Sequence, residues 1–311
     1  MKVYTNIEEF ENVKNPIVTT GTFDGVHLGH QKIIGRLKAV AREHDGETVL
    51  LTFHPHPRTV LFPGDNELKL LNTPNEKIKL LEKYGIDHLI IYPFTKQFSR
   101  LTSIEFVRNI LVNQIHTKKL VIGYNHHFGR NREGSFEHLQ EFGPIYGFEV
   151  EEIPAKDIDS IEISSTKIRH ALTIGDVALA ASYLGHYYSI SGEVVNGKKI
   201  GRTIGYPTAN IVIDDKYKLI PADGVYAVRI QHQGVDYAGM LNIGNNPTIK
   251  DKGTSIEVNI FDFNKDIYGD SITIYFVKRL RNELVFSGLE ELKNQLGNDK
   301  IASLKILEKT E

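Results

Sequence analysis

The feature that most constrains this chain is a change of pattern partway along it. From residue 17 to about 153, short apolar runs alternate with amphipathic stretches. Ile17–Thr20, Thr48–Phe53, His88–Pro93, Leu120–Gly123 and Phe148–Ile153 read as strands. His30–Glu43, Asn75–Tyr84, Ile104–Asn113 and Phe136–Tyr146 read as the helices between them, and Thr102 with Glu105 fits a capping box. Strands that are apolar throughout and separated by helices predict an α/β domain, a parallel sheet covered on both faces. Ligands in such sheets bind at the carboxyl ends of the strands. After Ala171–Leu184, which reads as one or two helices, the pattern changes to alternation. Tyr187–Val195, Gly224–Ile230, Val235–Asn242, Ser255–Phe263 and Ser271–Lys278 are rich in Val, Ile and Tyr, and Asn196-Gly197 and Gln233-Gly234 sit at hairpin-turn positions. Six or so antiparallel strands without intervening helices predict a small closed all-β barrel. Leu289–Leu296 and then Lys300–Leu307 supply a terminal helical cover. The boundary falls near residue 183, giving domains 1–182 and 183–311.

Composition narrows the function classes. The 37 basic and 39 acidic side chains leave a net charge of −2, so no basic field points to a nucleic-acid partner. The absence of cysteine excludes disulfides, zinc–thiolate sites, iron–sulfur clusters and a thiol nucleophile. The longest apolar runs fall far short of the roughly 20 residues of a spanning helix. Glu8 and Glu9 stand where a signal peptide would be apolar. A cytoplasmic protein with no membrane partner is expected.

Two strings in the first half carry phosphate chemistry. Gly21–His30 closes the first strand and opens the first helix. Its glycines allow close backbone approach to a ligand, and N–H groups at the helix start accept an anion. His27 and His30, three residues apart, share one side of a helical turn. Imidazoles so placed can donate to oxygens that gain charge as pyrophosphate leaves. The competing reading makes each histidine an ordinary cap or surface residue. In Ile163–Arg169, Ser164 or Ser165 can N-cap a short helix, and Arg169 can fork two phosphate oxygens. Together the two strings suggest a triphosphate clamp. In the barrel half, Thr208 and Asn210 put two oxygens at i, i+2 after a proline, an arrangement that suits a hard cation such as magnesium, with a plain loop as the alternative.

The first string resembles the HxGH signature of the nucleotidylyltransferase superfamily, and Ile163–Arg169 resembles its ISSTxxR partner. Thr52–Pro57, Gly123–Gly129, Pro207–Asn210, Pro221–Tyr226, Asn242–Thr248, Glu257–Ile260 and Leu280–Glu283 extend the likeness over nearly the whole chain, to the bacterial bifunctional riboflavin kinase/FAD synthetases. The resemblance implies a Rossmann-like FMN adenylyltransferase (FAD synthetase) domain followed by a flavokinase barrel. It implies small-molecule substrates: riboflavin phosphorylated to FMN, and FMN adenylylated to FAD with release of pyrophosphate, with ATP as co-substrate and Mg2+ as cofactor. His27, His30 and Arg169 would then be catalytic in the first half, and Glu257 would be the base for the riboflavin 5′-hydroxyl in the second. Nucleotide contacts fall to Gly21, Thr22, Phe23, Asp24, Gly29, Asn125, Ser164, Ser165, Thr166, Gly201 and Arg281. Flavin contacts fall to His54, Pro55, His56 and Pro57, and metal contacts to Thr208 and Asn210.

Three positions depart from the family pattern. His126 stands where Phe is usual, Asn259 where His is common and Val285 where Lys is frequent; they bear on how flavin or adenine is packed, not on reaction type. His54, His56, His126 and His127 also allow a transition-metal reading, weakened by the lack of an evident carboxylate beside them. Two further rivals are an adenylyltransferase with a degenerate barrel and a non-enzymatic flavin sensor. The intact Thr208, Asn210 and Glu257 set opposes the first, and the complete phosphate clamp opposes the second.

Overall fold

The computed structural model describes residues 1–64, 68–124, 126–154, 163–197, 200–245 and 254–310. Contacts divide the chain into two compact units, Met1–Leu68 with Asn72–Ser164, and Lys69–Leu71 with Ser165–Glu311.

The first unit is the expected parallel sheet. Its strands are β1 (Lys2–Tyr4), β2 (Ile17–Thr20), β3 (Thr48–His54), β4 (His88–Pro93), β5 (Lys119–Gly123) and β6 (Glu149–Ile153). They pair in parallel in the order β1-β4-β3-β2-β5-β6. All four residues of β2 are buried, as an apolar central strand requires. The helices are α1 (Leu28–Glu43), α2 (Pro57–Leu61), α3 (Pro74–Lys83), α4 (Ser103–Phe106) and α5 (Phe136–Tyr146), with α4 running on as a π-helical stretch over Val107–Val112. Two apolar clusters hold the layers together, one containing Val18, Leu51, Phe106 and Leu120, the other Ile17, Leu37, Leu50 and Leu81. Strand order reverses between β2 and β5, which is the switch point where such sheets open a crevice for ligands. The Thr102–Glu105 capping box forms, and Thr73 with Glu76 makes a second one at the start of α3. β1 escapes sequence reading because three residues are too few to show a period.

The second unit begins with α6 (Ser165–Thr173) and α7 (Val177–Leu184), resolving Ala171–Leu184 into two helices. The strands β7 (Tyr188–Val195), β8 (Ala209–Val212), β9 (Gly224–His232), β10 (Val235–Asn245), β11 (Thr254–Ile260) and β12 (Ser271–Arg281) close into a barrel of order β10-β11-β8-β7-β12-β9. Every pairing is antiparallel, and Tyr188, Tyr226 and Phe276 fill the interior. Gln233-Gly234 makes the expected tight turn, both residues at positive φ (50° and 80°). Asn196-Gly197 does not. β7 and β8 pair, but residues 196–208 connect them and include the helical turn α8 (Ile200–Thr203). The terminal cover is one helix, α9 (Leu289–Leu307), where a break was expected. The Gly-Asn-Asp stretch stays helical because Asp299, buried, accepts from Gln295 one turn earlier and from Arg281 of β12.

Lys69–Leu71 is stitched into the second unit by Leu70 N–H to Tyr217 O at 2.7 Å and Leu219 N–H to Leu70 O at 2.9 Å. The Lys218 ammonium, only 3% exposed, donates to Leu71 O at 2.7 Å and Ser189 O at 2.6 Å and stands 4.5 Å from the Tyr188 ring centroid. Lys218→Met removes both hydrogen bonds and should destabilise the second unit by about 3 kcal/mol, since hydrogen bonds to charged groups contribute roughly 1.5–3 kcal/mol each. Urea unfolding monitored by circular dichroism tests this. A change within roughly 0.5 kcal/mol, as at ordinary surface positions, would contradict it.

Candidate active sites

The first site is built where β2 ends. The chain leaves the sheet at Gly21 and enters α1 at Leu28, and the loop between them is strained. Phe23 and Val26 carry positive φ (47° and 42°), which side chains with a Cβ rarely adopt. Gly25 (φ 88°) takes the position where a side chain would be excluded. Hydrogen bonds hold this conformation: Gly25 N–H to Asn72 Oδ1 at 2.8 Å, Asn72 N–H to Asp24 Oδ1 at 3.3 Å, Gln31 Nε2 to Val26 O at 2.8 Å. Thr22 O accepts from both Thr52 Oγ1 (3.2 Å) and the Lys77 ammonium (2.7 Å). Strain kept by so many surrounding bonds is characteristic of ligand loops.

His27 lies just before α1 and caps it, its Nδ1 accepting the His30 N–H at 3.4 Å. The two imidazoles stack with centroids 3.7 Å apart, and the Phe23 ring lies 4.7 Å from His30. Gly29 is buried inside the same first turn. His30 Nδ1 is buried and has no hydrogen-bond partner. Burial first, then the His27 and Lys77 charges, push the His30 pKa well below 6.5, so the ring is neutral at pH 7. A neutral imidazole whose buried nitrogen lacks a partner, at a helix start, is a hydrogen-bonding group awaiting a ligand.

His54–Pro57 leaves the carboxyl end of the neighbouring β3, with a cis His54-Pro55 bond. His56 caps α2 by accepting Arg58 N–H at 3.2 Å, and Pro57 takes the first helical position. His126 Nε2 is buried without a partner, its ring stacked 6.0 Å from Phe128. Burial, then His127 and Arg132, lower its pKa to about 4. Among the described residues no three His, Cys, Asp or Glu side chains group together. Asn125 lies outside the described residues. Ser164 is grouped with the first unit; Ser165, Thr166 and Arg169 open α6 in the second. Arg169 Nε donates to Lys69 O at 2.7 Å.

The second site is a row across three barrel strands. Asn210 of β8 pairs in register with Glu257 of β11, which pairs with Asn242 of β10, so the three side chains share one face. Thr208 Oγ1 donates to Glu257 Oε2 at 3.1 Å. The Asn210 amide fills the space above Gly197, where a Cβ would overlap it. The Pro-Thr-Ala-Asn string is therefore half loop and half strand, since β8 begins at Ala209. Asn259 Nδ2 holds the Pro207 carbonyl at 2.6 Å, giving that departure from the family pattern a positioning part to play. Gly201 closes a turn by accepting Tyr206 N–H at 2.8 Å. Glu283 lies against Gly244 and accepts from Asn242 Nδ2 at 3.3 Å, adding a second carboxylate to the row. Arg281 forks the Asp299 carboxylate, with Nη2 at 2.7 Å and Nε at 3.0 Å, and donates to Asn282 O. Its guanidinium anchors α9 to β12.

The sequence does not mark Asn72 and Lys77 as parts of these sites; Asn259 and Glu283 fall in strings of the family likeness, but their contacts come from the fold. Lys77 is one of three lysines on the predicted helix Asn75–Tyr84, and nothing in the sequence singles it out.

A parallel sheet with an imidazole-bearing helix start at its switch point, joined to a closed barrel with an oxygen-rich strand row, defines a two-domain nucleotide-dependent transferase. The family model described as FAD synthetase matches residues 9–167, and the one described as riboflavin kinase matches residues 184–307. The bifunctional riboflavin kinase/FMN adenylyltransferase of Listeria monocytogenes is 41% identical over 286 residues, covering 92% of this chain and 90% of the relative. That of Buchnera aphidicola from Acyrthosiphon pisum is 38% identical over 303 residues, covering 96% of each. A crystal structure described as a macrolide-efflux protein from Streptococcus pneumoniae superposes with a TM-score of 0.88 at 34% identity, over 97% of this chain and 98% of that one. Among the described residues no helix is long and apolar enough to cross a membrane. The chain belongs to the bifunctional riboflavin kinase/FMN adenylyltransferase family, with the adenylyltransferase half first and the kinase half second.

Proposed function

We propose that the two activities divide among the residues as follows, with the functional boundary near residue 183. In the barrel, Glu257 accepts the proton of the riboflavin 5′-hydroxyl as that oxygen attacks the γ-phosphorus of ATP. The bond to the β-bridging oxygen breaks, ADP leaves, and FMN forms. The hydrogen bond from Thr208 to Glu257, beside the in-register Asn210, is the observation that carries this half. Thr208 and Asn210 offer neutral oxygens next to a carboxylate, a donor set that fits Mg2+, which supplies positive charge to the polyphosphate when bound.

In the α/β unit, an FMN phosphate oxygen attacks the α-phosphorus of a second ATP, pyrophosphate leaves and FAD forms. The Gly21–Asp24 backbone, Gly29, Asn125 and Ser164–Thr166 hold the nucleotide. His27 and His30 donate to oxygens gaining charge, and Arg169 forks phosphate oxygens. His54–Pro57 hold the flavin. Arg281 acts in nucleotide binding through the β12–α9 anchor it makes with Asp299. Substrates of this kind place the work in the cytoplasm, with no nucleic acid involved.

Incubation with riboflavin, ATP and Mg2+ should give FMN and then FAD by chromatography, and chelation of Mg2+ should stop both. Absence of FMN would overturn the kinase assignment. Failure of supplied FMN to yield FAD would overturn the adenylyltransferase assignment.

A further inference from the structure

We infer that Lys77 of α3 is a further polyphosphate ligand of the first site, sharing with His30 the triphosphate of ATP and the pyrophosphate that departs. The inference rests on the adenylyltransferase reading of the first unit and adds to it a residue that the phosphate-binding strings do not contain.

Lys77 lies far along the chain from the Gly21–His30 loop, yet its ammonium donates to Thr22 O at 2.7 Å, inside that loop. That bond uses one of three N–H groups. Among the described residues no carboxylate forms an ion pair with it. Asp24 is near enough to favour the charged form, but its Oδ1 accepts the Asn72 N–H. A largely buried ammonium held by one carbonyl is an unfavourable arrangement unless something else brings negative charge.

The second observation concerns His30. Its Nδ1 is buried and without a partner, and the Lys77 charge is among the causes that keep its ring neutral. Desolvation also favours the neutral form of Lys77 itself. The Lys77 charge thus opposes protonation of His30 next to a helix start whose N–H groups are positive as well. Asp24 already brings some negative charge to Lys77, and a ligand anion would add to it. An anion there reverses every one of these penalties. It accepts the free ammonium protons and gives His30 a partner, while facing the start of α1. A bridging polyphosphate, spread over several oxygens, reaches both groups at once.

α3 is fixed well enough to aim the side chain. Thr73 and Glu76 lock its first turn through a capping box, and Asn72, just before it, bonds both Gly25 and Asp24. Loop and helix start are therefore one rigid assembly.

Two substitutions separate a charge that binds phosphate from a prop for the loop. Lys77→Gln keeps an N–H donor for Thr22 O and discards the charge; Lys77→Met discards both. With full-length protein, FMN adenylylation is followed against ATP concentration, against FMN concentration and with added inorganic pyrophosphate as inhibitor. Pyrophosphate binding is also measured directly by calorimetry. Both variants should raise the KM for ATP and weaken pyrophosphate binding by about tenfold or more, as for loss of a charge-assisted hydrogen bond, with the KM for FMN changing far less. Lys77→Gln with wild-type pyrophosphate affinity would overturn the inference and leave Lys77 as a prop. Should Lys77→Met unfold, Lys77→Gln decides alone. Wild-type protein that makes no FAD from FMN would instead overturn the underlying reading.

Discussion

Glu257→Gln should lower riboflavin phosphorylation by about 10²–10⁴-fold, the usual contribution of a positioned general base. Glutamine has nearly the same shape and keeps an oxygen to accept from Thr208, which bonds Glu257 at 3.1 Å in the wild type. The register Asn210–Glu257–Asn242 is set by backbone pairing and is untouched by the change. What is lost is the capacity to take the hydroxyl proton. The effect should fall on kcat with little change in KM, because an interaction made only in the transition state has been removed. Conversion of supplied FMN to FAD should continue. A kcat within about threefold of wild type would show that positioning carries the phosphoryl transfer without this base, as such reactions permit in part.

His30→Ala should give the opposite pattern, lowering FMN adenylylation by about 10²–10³-fold, the magnitude for loss of one preorganised donor at developing charge, with FMN formation retained. The reason is geometric. His30 is wedged between the His27 ring at 3.7 Å and the Phe23 ring at 4.7 Å, with a buried nitrogen that lacks a partner in the free protein. It is preorganised and cannot be replaced by water without loss. The same substitution has a second readout. Folded His30 holds a proton less readily than an unfolded histidine. Its contribution to stability is therefore complete above the ordinary histidine value near 6.5 and is lost as pH falls below it. His30→Ala should flatten that acid limb in urea titrations between pH 7 and 5. Unchanged adenylylation with an unchanged acid limb would leave His30 no special part.

Strands such as Ile17–Thr20 and His88–Pro93 were legible because burial on both faces favours short runs of mostly apolar residues, and the structure returns the same limits. β8 was not, because it has four residues and follows a proline turn, and only its pairing with β7 and β11 makes it a strand. The expected hairpin at Asn196-Gly197 failed for a related reason. Its glycine lies under the Asn210 amide, which occupies the space a Cβ would take, and not in a two-residue turn. The histidine string was readable because its parts are local: helix start, glycines and spacing lie within ten residues. Asn72 and Lys77 act on that string from the residue before the α3 cap and from α3 itself, and nothing local marks them. Arg281 is read from the family likeness as a nucleotide-binding residue; that its guanidinium forks the Asp299 carboxylate is visible only in the fold.

The sequence by itself determined two domains of different grammar, the order of the two activities and the local strings from which the phosphate-binding proposal is built. Those depend on local periodicity and on short strings whose chemistry is complete in a turn or two. Tertiary structure alone decided how the loop between β2 and α1 is held in strain, which carboxylates and amides line up across the barrel, and where a buried ammonium is aimed. Those outcomes depend on strand register and side-chain packing between segments far apart in the chain, which no local pattern encodes.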